Sequence, residues 1–163
     1  MKNIFIVKKK IKPFNKILKI EGDKSLSIRW ALLASQASGK SIATNILKSE
    51  DVKSTLGCLS KLGVKVKLLK NKCIIIGMGI NGYKYKKNTI LNAGNSGTLA
   101  RLIMGLLVHS KSPVKIIGDK SLSKRDFLRI TEPLEKFGAK FKTTYGKLPI
   151  LIHGTKYPKP IKY

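Results

Sequence analysis

The chain has 163 residues, enough for one domain with a real core, and 42% of them are hydrophobic, an ordinary share for a globular protein. No stretch approaches the run of about 20 apolar residues that spans a bilayer, and Met1 to Lys12 alternates Ile, Phe and Val with Lys, which fits neither a signal nor a transit peptide; the expectation is a cytoplasmic protein without a membrane partner. The net charge of +26 raises nucleic acid as a partner, but only four of the 34 basic residues are arginine, and the lysines spread over nearly every segment as AT-rich coding would leave them.

In chain order, Phe14–Ile20 reads as a strand. Gly22-Asp23-Lys24-Ser25-Leu26-Ser27-Ile28-Arg29 then feeds an apolar helix over about Ile28–Ala37. With a helix start near Ser25, Ser25 and Arg29 share a face. The serine hydroxyl, free backbone N–H groups and a clamping guanidinium could hold an anion there, with Lys24 as a mobile charge; a serine cap followed by surface cations is the bland alternative. A strand follows over Ser41–Leu47. Next come a helix carrying Val52, Leu56, Leu59 and Leu62 that ends at Gly63, a strand over Val64–Leu68 and another over Lys72–Ile76, with Gly77–Gly82 as a turn.

Asn92-Ala93-Gly94-Asn95-Ser96-Gly97-Thr98 opens a second apolar helix, Thr98–His109, which carries Arg101. Gly97 lets a ligand approach the backbone. A strand follows at Val114–Ile117. Gly118-Asp119-Lys120-Ser121 then repeats the Gly-Asp-Lys-Ser of the first turn in a loop that could deliver Arg125 to an anion. The helix with Phe127, Thr131, Leu134, Phe137 and Gly138 repeats the Val52–Gly63 pattern 75 residues later. Pro133 either kinks that helix or starts its main part. Strands over Ala139–Thr143 and Leu148–Ile152 close the second copy.

Other patterns are discarded. Gly39-Lys40-Ser41 lacks the earlier glycine of a phosphate-binding loop and follows a helix rather than a strand. His109 and His153 have no triad partners. Cys58 and Cys73 read as reduced thiols, neither disulfide nor zinc ligands. The eight acids form no persuasive acid/base pair, and Asp51 and Asp126 look like helix N-terminal charges. The residues alone therefore give two anion-binding turns without an evident proton-transfer group.

The motifs resemble those of the 5-enolpyruvylshikimate-3-phosphate synthases. Gly22 to Ala34 is similar to that family's G-x-K-S-x-S-x-R signature and Ala/Leu run, Asn92 to Arg101 to its G-N-[SA]-G-T…R segment, and Lys124-Arg125 to its K/E-R-P element, with Asp126 where the family has proline. The resemblance implies transfer of an enolpyruvyl group from phosphoenolpyruvate to shikimate 3-phosphate, in aromatic amino-acid and chorismate biosynthesis. It implies that Lys24, Ser25 and Arg29 hold shikimate 3-phosphate, and that Lys24, Asn95, Gly97 and Arg125 hold phosphoenolpyruvate. Arg101 would be mainly structural, and no metal or organic cofactor is expected. The related UDP-N-acetylglucosamine enolpyruvyl transferases, which usually have asparagine and no Ser-x-Arg after the lysine, match less well. A basic nucleic-acid-binding module is the other alternative.

The fold implied is α/β, built of repeated βαβαββ units, three to a domain, with the active site between two domains. Residues 1–21 would be a strand segment belonging to or leading from the other domain. Residues 22–163 would be a partial substrate-binding domain, with one unit over about 22–90 and a second over about 91–155. The family's S-[SA]-Q segment and the whole opposite domain, with the catalytic carboxylate and lysine, would lie beyond Tyr163. That places no catalytic acid or base in this chain, expects the isolated chain to be inactive and the full-length protein monomeric, and leaves sheet edges and apolar surface exposed, so that self-association is an expected liability.

Overall fold

Asp23 opens the first helix. In the computed structural model, which describes residues 4, 6, 8–10 and 12–162, its carboxylate accepts the Leu26 N–H at 2.7 Å and α1 runs over Lys24–Gln36. The cap is thus Asp23, not a serine, and the helix starts a turn earlier than its apolar run. Its buried side is Ser27, Ile28, Ala31, Leu32, Ala34 and Ser35. β1 (Ser38–Thr44) ends three residues before the predicted strand, because Asn45, at φ +54°, turns the chain out of the sheet.

α2 (Glu50–Lys61) carries Glu50 and Asp51 in its first turn and buries Val52, Thr55, Leu56, Cys58 and Leu59. Gly63 follows it at φ +90°, the left-handed stop read from the sequence. β2 (Lys65–Leu68) and β3 (Lys72–Met78) complete an antiparallel sheet in the order β1-β3-β2, with Ile42 opposite Ile74 and Val66 opposite Ile75.

The second half begins with a strand that the sequence did not announce. β4 (Thr89–Asn92) has only Ile90 and Leu91 as apolar residues, too few to show an alternation. It pairs in parallel with β5 (Val114–Ile117) across α3 (Gly97–Leu106), Leu91 facing Ile116. A 3₁₀ turn at Leu122–Lys124 leads to α4 (Leu128–Phe137), β6 (Lys140–Thr144) and β7 (Lys147–His153), in the sheet order β4-β5-β7-β6. Pro133 lies inside α4, where it removes the helical partner of the Arg129 carbonyl, and Gly138 caps that helix at φ +119°. One core joins the halves: Ile28, Leu59 and Ile75 pack in the same cluster as Leu99, Ile103, Ile116, Phe127 and Ile150.

Residues 14–20 form no strand. Phe14, Ile17, Leu18 and Ile20 are exposed, Ile17 to 97%, and among the described residues no strand pairs with them to take up the backbone groups. Among the described residues no helix is long and apolar enough to cross a membrane, and no three His, Cys, Asp or Glu side chains gather as metal ligands.

Candidate functional site

The identical words Gly-Asp-Lys-Ser do identical local work. Asp23 caps Leu26 N at 2.7 Å, and Asp119 caps Leu122 N at 2.7 Å, each three residues on. The first copy starts α1; the second starts the 3₁₀ turn that ends at Arg125.

At the first turn, Ser27 is tied down. Its hydroxyl donates to the Asp23 carbonyl at 2.7 Å and accepts the Leu47 N–H at 3.1 Å, so it fastens α1 to the connection after β1. Ser25 stays half-exposed. Arg29 is exposed, enters no ion pair among the described residues, and lines a groove with Leu32 and Leu33 of α1 and Leu102 and Leu106 of α3. Lys24 Nζ lies 3.2 Å from Asp51 Oδ2. Sequence reasoning read Asp51 only as a helix N-terminal charge; it is also the resting counter-ion of Lys24. Both side chains are partly solvated, so the pair is worth at most about 1 kcal/mol and an incoming anion can displace the carboxylate.

The second turn is built by short polar bonds. Asn92 Oδ1 accepts the Gly94 N–H at 2.9 Å, and fully buried Ser96 caps Leu99 N at 3.2 Å. Asn95 donates to Asp119 Oδ2 at 2.6 Å and accepts from Arg125 Nη2 at 3.1 Å. The Asn95 amide, and after it the Leu122 N–H, hold the Asp119 carboxyl below its ordinary pKa. Asp119 is thus an anionic tether and Asn95 the bridge that carries Arg125 back to the start of α3.

Two guanidinium groups meet there. A Cβ on Gly97 would stand 2.8 Å from Arg101 Nη1 and 3.0 Å from Arg125 Nη1. Arg101 also lies 5.2 Å over the ring of buried Phe127, and among the described residues its buried Nε has no hydrogen-bond partner. Burial, then the charges of Arg129 and Arg125, lower its pKa, while Asp126 acts in the opposite sense. Like charges crowded at a helix N-terminus invite an anion. Asp126 does not supply one: it forms no ion pair with Arg125 and instead accepts the Leu128 N–H at 2.7 Å, at the start of α4.

α2 brings the two turns to one place. Asp51 holds Lys24, and Ser54, three residues on and on the same helix face, packs its hydroxyl 3.0 Å from where a Cβ on Gly94 would lie. Asn95, Gly97 and Arg125 meet at the N-terminal end of α3, Lys24 lies against Asp51 of α2, and Arg29 lines the α1–α3 groove. The roles of Asp51, Asn95 and Asp119 were hidden in the sequence, because each depends on a partner more than 20 residues away.

Known proteins carry the same arrangement of elements. A 3-phosphoshikimate 1-carboxyvinyltransferase of Ruthia magnifica is 42% identical over 156 residues, covering 94% of this chain and 36% of that protein. The enzyme of the same name from Vesicomyosocius okutanii is 44% identical over 146 residues, covering 90% of this chain and 33% of its own length. The solved EPSP synthase of Acinetobacter baumannii superposes with a TM-score of 0.84 at 37% identity, over 90% of this chain and 33% of that one. The chain thus spans about a third of the length of these relatives. The family model described as EPSP synthase (3-phosphoshikimate 1-carboxyvinyltransferase) matches residues 8–163, a span that contains both turns, the Arg125 loop and both sheets. On that match and the shared fold, the chain belongs to the EPSP synthase family.

Proposed function

We propose that this chain forms the anion-gripping part of an enolpyruvyl transferase site, one that transfers the enolpyruvyl group of phosphoenolpyruvate to the 5-hydroxyl of shikimate 3-phosphate and releases phosphate. Lys24, Ser25 and Arg29 grip shikimate 3-phosphate. Lys24, Asn95, Gly97 and Arg125 grip phosphoenolpyruvate, with the Gly97 backbone presented by the N-terminus of α3. The observation that carries this reading is the convergence of Arg101 and Arg125 on the bare Cα of Gly97 at the N-terminus of α3. Of the acids beside the turns, Asp51 pairs with Lys24, Asp119 is held as a carboxylate by Asn95, and Asp126 accepts the Leu128 N–H, so each serves to place a cation or the backbone. The chain binds and orients; the proton-transfer groups belong to polypeptide outside these residues.

Calorimetric titration tests this. Shikimate 3-phosphate is expected to bind the purified chain, with phosphoenolpyruvate following once the first site is filled and no phosphate released. Arg29→Ala should weaken the first ligand, and Arg125→Ala the second, each by about tenfold or more, the worth of a charge-assisted hydrogen bond. Absence of binding by both ligands at millimolar concentration overturns the anion sites. Steady phosphate release by the chain alone overturns the placement of proton transfer elsewhere.

A further inference from the structure

The outward side of the first sheet is an isoleucine triplet ringed by lysines, and we propose that it docks this chain on an anionic lipid bilayer. Strand register places every member. Ile42 of β1 stands opposite Ile74 of β3, and Ile76 follows two residues on along the same side of β3. Lys67 and Lys65 of β2 lie opposite Ile74 and Ile76. Lys40 of β1 lies opposite Ile76 from the other side, and Lys72 precedes Ile74 by two residues. The four lysines are exposed, as are Ile42 at 51% and Ile76 at 39%, while the alternate residues Cys73 and Ile75 are buried beneath them. The second sheet repeats the cations. Lys115, Lys140, Lys142 and Lys147 each stand 75 residues after one of the four, and all are exposed. Lys115 and Lys142 flank Leu151 as Lys40 and Lys65 flank Ile76.

AT-rich coding scatters lysine without regard to structure, but here its placement runs against propensity. Lysine suits helices and is depleted from strands, yet the four α-helices hold Lys24, Lys53, Lys61 and Lys136 while the strands hold all eight of the lysines above. None of the eight acids lies on a strand, and among the described residues none of these strand lysines enters an ion pair. The solvation of this surface is set by the lysines themselves: polypeptide laid over it would have to pair or desolvate four ammonium groups, and lysine is depleted from protein interfaces. A bilayer accepts the same pattern. Acidic headgroups take the ammonium groups, the lysine stems lie along the isoleucines, and the isoleucines reach the acyl boundary. Nucleic acid fits less well, because no aromatic side chain stands on β1, β2 or β3 to stack a base. The docking surface is made of strands and the anion sites of helix starts and turns, so the two readings stand or fall separately.

Co-sedimentation of the purified chain with vesicles tests the docking. Binding is expected to vesicles of phosphatidylcholine with phosphatidylglycerol and not to phosphatidylcholine alone, and it should weaken as sodium chloride screens the lysines. A charge of +26 draws the chain to any anionic surface, so the deciding comparison removes the same charge from two places. One variant is Lys40→Gln/Lys65→Gln/Lys67→Gln/Lys72→Gln. The other is Lys87→Gln/Lys111→Gln/Lys136→Gln/Lys156→Gln, at exposed lysines outside the strands. The first should lose at least about tenfold more of its partition onto the vesicles than the second, because a lysine held at the surface is worth about fivefold and one beyond the screening length very little. All eight positions are exposed, so both variants keep the fold, which a thermal melt verifies. An environment-sensitive dye on Ile42→Cys should brighten on the anionic vesicles and the same dye on Lys136→Cys should not, with buried Cys58 and Cys73 staying out of the labelling reaction. Equal losses in the two quadruple variants overturn the proposal, and so does a dye at Ile42→Cys that stays dark. A first-sheet variant that keeps its vesicle binding but loses affinity for single-stranded RNA also overturns it and makes nucleic acid the partner.

Discussion

Gly97 leaves a space that two guanidinium groups share, so a single methyl group there is a sharp probe. Gly97→Ala fills a position 2.8 Å from Arg101 Nη1 and 3.0 Å from Arg125 Nη1. Both neighbours are ends of long side chains and can retreat, and alanine suits a first helical turn better than glycine. The fold should survive, with a melting temperature equal to or above the parent, while affinity for phosphoenolpyruvate falls about tenfold or more as the two cations are pushed off their common point. Calorimetry and a thermal melt on the same sample check both halves of this expectation. Asp119 gives a second probe through pH. Its folded-state pKa is depressed, chiefly by the Asn95 amide. Its contribution to stability is therefore complete above the unfolded carboxylate value of about 4 and is lost as pH falls through the lower folded value. Asp119→Asn should melt below the parent at pH 6, and the gap should close between about pH 4 and the onset of acid unfolding. A gap that is constant with pH would show that the Asp119 charge is not what fastens the Arg125 loop.

At the scale of elements, glycine was the clearest word in the sequence. Gly63 and Gly138 ended the two repeated helices as read, at φ +90° and +119°. Their surroundings differ, and substitution should expose the difference. A Cβ on Gly63 would run into the Lys84 carbonyl, whereas the nearest atoms to one on Gly138 lie 3.3 Å away. Gly138→Ala should cost about 1 kcal/mol, the price of left-handed backbone for a residue with a Cβ. Gly63→Ala should cost more, about 2–3 kcal/mol, because the Tyr83–Tyr85 strand of loop must also move; urea midpoints of the two variants rank them. Helices with strong apolar stripes were equally legible. What stayed hidden was set by partners far along the chain. β4 has too few residues to show a period and exists because β5 offers a parallel edge. Residues 14–20 have the apolar content of a strand, but the close approach of Gly22 to Asn45 directs them past the end of β1. β1 stops at Asn45 for a backbone reason that alternation does not record. In the candidate site, the turns and their arginines could be read directly. The bonds that aim them, Lys24 to Asp51 and Arg125 through Asn95 to Asp119, could not, because side-chain pairing across 24 or more residues leaves no local pattern.

For the molecule as a whole, the charge of +26 is met by two ion pairs among the described residues, Lys24–Asp51 and Lys53–Glu50. Self-repulsion of that size destabilises the compact state, and any salt relieves it by shortening the screening length to about 8 Å at physiological strength. Screening does not distinguish one anion from another at equal ionic strength, whereas a built site does. Sodium chloride should therefore raise the melting temperature smoothly in the parent and in the double variant Arg29→Ala/Arg125→Ala alike. Inorganic phosphate at matched ionic strength should raise it further in the parent, by the linkage term RT ln(1 + [L]/Kd), about 1.4 kcal/mol at ten times the dissociation constant. Phosphate also strengthens apolar burial by exclusion from the surface, and that share persists in both proteins. The quantity that decides is thus the phosphate increment in the parent minus that in the double variant. A positive difference that saturates with phosphate locates stabilising anions at the two turns. A difference of zero means the lysines take up anions diffusely and the arginines have no privileged role.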